Sequence, residues 1–144
     1  SLFSMFMALL AGISMAFQGA INSGLSKITG LWEATFFVHA SAALAVAALL
    51  FGLRVGNGSF GAFLDAPWYL YTGGLIGVLI TYAVVISIPK LGAAVATTAI
   101  IVGQVLSAVL IDHFGLFGLN HVPFNWWKVL GVALLAAGAK LLLN

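Results

Sequence analysis

Five apolar blocks, each close to the length needed to cross a bilayer, constrain this chain more than anything else in its sequence. An α-helix rises about 1.5 Å per residue, so about 30 Å of hydrocarbon takes about 20 residues. Residues 2–26, 32–53, 67–88, 91–111 and 126–143 each meet that requirement. With 63% hydrophobic residues and only five basic and three acidic side chains among 144, the expected fold is all-α. We expect a polytopic membrane protein with five transmembrane helices per subunit.

So little chain is left outside the spans that a separate soluble core has no room to form, and residues 1–144 are expected to make a single transmembrane domain. The first block lacks a basic leading segment, exceeds a signal peptide's apolar core and carries Gln18 and Asn22. It is therefore read as a permanent helix. Cysteine is absent, which excludes disulfides and thiolate metal sites. The scattered histidines and carboxylates offer no metal cage, no cofactor is expected, and the five dispersed Lys and Arg form no patch suited to nucleic acid.

The sequence also contains no G-x-S-x-G elbow, no H-E-x-x-H and no phosphate-cradling glycine loop, so a non-enzyme is expected. With five spans, Lys27, Lys90 and Lys140 fall on one side and Arg54 and Lys128 on the other. A bias of three against two barely orients a chain by the positive-inside rule. Insertion in both orientations is the expectation.

Function is sought in the polar residues within the blocks. Ser14, Gln18, Asn22 and Ser26 recur every four residues and so share one helix face. Thr97, Gln104 and Ser107 lie near one face of the fourth block. An unpartnered amide in hydrocarbon costs several kcal/mol, so these stripes must face other helices or a watery cavity. Counted from the block ends, Gln18 lies about 12 Å and His39 about 10 Å from the surface bearing Lys27, with Gln104 about as deep from the other surface. A second, inverted copy would bring its Gln104 level with Gln18 and His39.

Gln18, Asn22, His39, Gln104, Ser14 and Thr97 are accordingly the expected substrate-binding residues. His39 is the titratable group deepest in a span, and intramembrane ionisable groups are functional candidates. Glu33 in a first helical turn, and Asp112 and His113 at a helix end, are candidates for coupling or gating. Asp112 opposes the helix dipole there, so a cationic partner, Arg54, Lys128 or His113, is expected. Gly73, Gly77 and Thr81 form a small-residue row suited to helix packing, and Gly131 and Gly138 are a candidate dimer contact.

The runs Pro89-Lys90-Leu91-Gly92-Ala93-Ala94, Ile101-Val102-Gly103-Gln104-Val105-Leu106 and Ile111-Asp112-His113-Phe114-Gly115-Leu116 together resemble the signature of the YdcZ-like inner-membrane proteins of the drug/metabolite transporter superfamily. Gln18-Gly19-Ala20-Ile21-Asn22 and Glu33-Ala34 are similar to that family's opening motif, and His39 departs from its pattern. The fifth block, from Gly131 to Gly138, resembles the terminal helix through which small multidrug transporters dimerise. Their first helix carries a glutamate; here Gln18 and Asn22 stand in that helix instead. The resemblance implies five-helix subunits that pair in the inner (cytoplasmic) membrane of bacteria.

The reading that unites these features is a secondary transporter of a small polar metabolite, neutral or zwitterionic because the candidate site carries amides rather than charges. It would act as an antiparallel homodimer of ten helices with a shared midplane site and alternating access. The alternative is a non-transporting membrane assembly partner whose polar stripes only hold helices together.

Overall fold

Two single glycines set the joints of the fold. The computed structural model describes residues 1–144 and contains helices α1 (Leu2–Thr29), α2 (Leu31–Ala47), α3 (Gly73–Leu91), α4 (Ala93–Phe114) and α5 (Trp126–Leu142), with no strand. Only Gly30 separates α1 from α2, and only Gly92 separates α3 from α4. Gly30 has φ 108° and ψ 156°, and Gly92 has φ 84° and ψ 157°. This backbone region is essentially restricted to glycine, so each joint can be one residue long.

Hydrogen bonding around the joints matches as well. The Gly30 N–H donates to Ser26 O and its carbonyl accepts from Ala34 N–H; the Gly92 N–H donates to Ile88 O and its carbonyl accepts from Ala96 N–H. Burial follows the same register: Ser23 and Val85 stand seven positions before their glycine, Ala34 and Ala96 four after, and all four are buried. The segments around the two joints thus repeat one local design, which the sequence does not advertise.

The helices depart from the expected bounds in instructive ways. Thr29 donates to Leu25 O and Ser26 to Ser23 O, and α1 continues through Lys27-Ile28-Thr29 until the glycine breaks it. The α2 helix loosens into a π turn over Ala48–Gly52. Residues 68–72 are a 3-10 turn rather than α-helix, and α3 passes through Pro89 to Leu91. Proline there lacks only one ladder hydrogen bond near a helix end. Gly115, left-handed at φ 58° and ψ 42°, ends α4, so Asp112 and His113 belong to its last turn.

Residues Leu2–Thr29, Leu31–Gly52, Trp68–Leu91 and Ala93–Phe114 are each long and apolar enough to cross a membrane. The fifth expected span forms a helix of 17 residues, about 25 Å long. By length it falls short of the other four.

The chain divides into two compact units, Ser1–Ile86 and Ser87–Asn144, with α3 passing from one to the other. In the first, α1 packs on α2, and Trp32 of α2 stacks on Tyr82 of α3 with centroids 5.2 Å apart. Phe51, Phe60, Phe63 and Tyr71 form a stack across the connection between α2 and α3, where Ser59 caps a 3-10 turn over Phe60–Asp65. In the second unit α4 packs on α5, whose N-terminus is capped by the Asn125 side chain accepting from Lys128 N–H at 2.9 Å.

Neither unit has a conventional core. Ala34, Val85 and Ala96 are the buried hydrophobic residues, and no large side chain is fully buried. Leucine, isoleucine and phenylalanine instead cover the outside of every helix, the inverse of a water-soluble fold. In lipid such surface needs no burial, because hydrocarbon is as apolar as leucine.

Candidate functional site

The α1 stripe separates into two environments. Ser14 and Gln18 are exposed, whereas Asn22 is buried at 8% exposure and Ser26 half-buried. Neither the Gln18 nor the Asn22 side chain has a hydrogen-bond partner within the chain. The extra residues of α1 place Gln18 about 17 Å from Thr29, deeper than the sequence bounds implied, and Gln104 lies about 15 Å from the Phe114 end of α4. Gln104 is exposed and equally unpartnered, and Thr97, two turns earlier, is half-buried. Gln18, Asn22 and His39 lie in the first unit, Thr97 and Gln104 in the second.

His39 has a defined partner. Its Nε2 lies 3.3 Å from Thr81 Oγ1 on α3, and the Thr81 hydroxyl also sits 3.0 Å from Gly77 O, to which it donates. With that proton committed, His39 donates from Nε2 and keeps Nδ1 free to accept. The imidazole lies over Gly77, where an added Cβ would come 3.6 Å from Cε1. The small-residue row of α3 therefore seats a histidine. Thr81→Val keeps the shape and deletes the acceptor; thermal unfolding in detergent should show a loss of about 0.6 kcal/mol, the average for such membrane hydrogen bonds.

Glu33 is exposed in the first turn of α2, with its carboxylate against Gly30 where any side chain at that position would have to go. With Leu25, Thr29, Phe36 and Phe37 it lines a shallow groove beside the joint. Asp112 uses its backbone carbonyl, 2.8 Å from the Val122 N–H, to hold the returning chain. Within the second unit its carboxylate has neither of the expected partners there: Lys128 donates to Pro123 O at 3.4 Å, and His113 Nδ1 accepts from Phe124 N–H at 3.2 Å. His113 also faces His121, with ring centroids 6.0 Å apart. Its visible work is to clasp the 115–125 turn onto the end of α4.

Gly131 and Gly138 are exposed, and a Cβ added to either would meet nothing within 4 Å. They take no part in packing within the chain. Two polar residues escaped the sequence reading. Ser23 is 3% exposed and its Oγ has no hydrogen-bond partner; Thr35, 4% exposed, bonds back to Leu31 O at 2.8 Å. Ser23 adjoins Asn22 but lies off the four-residue stripe, and Thr35 precedes His39 by one turn, the one signal that pointed to it.

Set against known proteins, residues 3–141 match a family model described as "Putative inner membrane exporter, YdcZ". No curated protein and no solved structure matches the chain.

Proposed function

Because this chain belongs to the YdcZ family of inner-membrane exporters, we propose that it is a secondary transporter that moves a small polar, neutral or zwitterionic solute by alternating access. The observation that carries this reading is the pair of exposed, unpartnered amides, Gln18 and Gln104, midway along helices long enough to span. Left facing hydrocarbon, each would cost several kcal/mol. A second copy that covers them turns that cost into a binding surface.

In the proposed dimer each copy is one transmembrane domain of five spans, the short α5 being accommodated by local bilayer thinning. The open row of Gly131 and Gly138 on α5 supplies the contact between copies. The pairing is antiparallel, which places amides of both copies at one depth, and the nearly balanced Lys and Arg permit both orientations. Absence of charge near the amides favours a solute recognised by hydrogen bonds.

Purified protein should be stabilised by such a solute in a thermal-shift screen of metabolites, and the same solute should exchange across proteoliposomes. Finding no stabilising solute, together with stoichiometric co-purification of another membrane protein, would replace transport with the assembly-partner reading. Orientation is read separately. A C-terminal reporter active on one side only, paired with one active on the other, should give comparable signals; signal from one side alone would eliminate the antiparallel homodimer.

A further inference from the structure

Several hydroxyls on the helices of this protein satisfy themselves by bonding back to a carbonyl one turn earlier. Thr29, Thr35, Ser41, Thr81 and Thr98 all do so. Among the hydroxyls that do not, Ser23 is the one whose Oγ is buried and without a partner. Beside it stands Asn22, a residue more than nine-tenths buried whose side-chain amide is also unpartnered. Leaving a polar group buried and unbonded is costly, so the Ser23 hydroxyl beside an unpartnered amide is an expensive arrangement unless something else uses it.

The surroundings suggest how they could be reached. The buried residues of α1 are Gly19, Asn22 and Ser23, and those of α2, packed against it, are Ala34 and Thr35. Small residues on both sides let the helices close tightly over the polar pair. The joint between them is Gly30 alone. Its N–H belongs to the last hydrogen bond of α1 and its carbonyl to the first of α2. Rotation about the φ and ψ of Gly30 therefore swings one helix relative to the other without breaking a backbone hydrogen bond, and glycine tolerates the new torsions.

We propose that Asn22 and Ser23 form a hydrogen-bonding subsite, shut between α1 and α2 in this conformation and opened by rotation at Gly30. The subsite takes a neutral group that presents a donor and an acceptor side by side, such as a carboxamide or a vicinal diol. This rests on the transport reading for the role of the bound solute, and adds to it a gate and a residue, Ser23.

The protein has no cysteine, so Ser23→Cys gives a nearly isosteric reporter on a blank background. In native membrane vesicles N-ethylmaleimide should label Ser23→Cys to completion, more slowly than Asn57→Cys in the exposed connection after α2. Leu10→Cys, on the apolar outer face of α1, should stay unlabelled for want of water. A Ser23→Cys thiol that remains inert while the denatured protein reacts fully would overturn the proposal.

Ser23→Ala supplies the second measurement. With an unsatisfied hydroxyl removed, thermal stability without solute should hold or rise, while affinity for the solute found by the screen should fall about threefold to tenfold. Unchanged affinity would overturn the assignment of Ser23. The two readings fail separately: labelling of Ser23→Cys with no transported solute leaves the opening seam standing without transport, whereas transport with an inert Ser23→Cys leaves transport standing without this gate.

Discussion

Gly30→Ala should destabilise the protein by about 2–3 kcal/mol, while Gly24→Ala, six residues earlier and within α1, should stabilise it by about 0.5–1 kcal/mol. The opposite signs come from backbone conformation. Gly24 is helical with nothing within 4 Å of an added Cβ, so alanine there only lowers the entropy of the unfolded chain. Gly30 sits at φ 108° and ψ 156°, where any Cβ is strained, and the new methyl would also run into the Glu33 carboxylate. The carboxylate is the end of a flexible side chain and can move aside; the backbone cannot. Gly92→Ala should share the conformational penalty without the clash. The fraction of monodisperse protein surviving a temperature ramp in detergent measures all three. If Gly30→Ala melts with the parent protein, the one-residue joint is wrong.

The second large effect is expected at the exposed amides. Gln18→Leu and Gln104→Leu preserve approximate volume and remove all hydrogen-bonding capacity. Since neither amide bonds within its own chain, the isolated subunit should lose nothing in stability. If the amides line the transport site, each substitution leaves the solute's polar groups unpaired, costing about 1–3 kcal/mol, or roughly tenfold to a hundredfold in affinity. Dimer content by crosslinking should change little. The reverse pattern, weakened dimer with unaltered solute affinity, would make both residues interhelical glue and move the site elsewhere.

Apolar length located α1 to α5, because crossing hydrocarbon calls for a residue count that does not depend on packing. Helix ends were less legible. Lys27 and Pro89 look like punctuation, yet α1 runs past the first and α3 past the second; what stops them is a torsion available to glycine. The stretch after Arg54 looked irregular, although Ser59 caps a short helix there. At the site, a spacing of four singled out Asn22 with its whole stripe. Ser23 was invisible because its burial and its missing bond are not encoded by spacing. The His39 and Thr81 pair joins positions 42 apart, beyond the reach of any local pattern.

The one-residue joint has a mechanical consequence. With 28 residues, α1 is a rod about 42 Å long whose fulcrum lies at one end. A swing of about 10° at Gly30 would move the Leu2 end by roughly 7 Å while Ser26 and the groove around Glu33 shift by about 1 Å. Motion of this hairpin is thus sided. Distance probes near Ser4 should report its full stroke, those near Gln18 less than half of it, and those near Thr29 almost none.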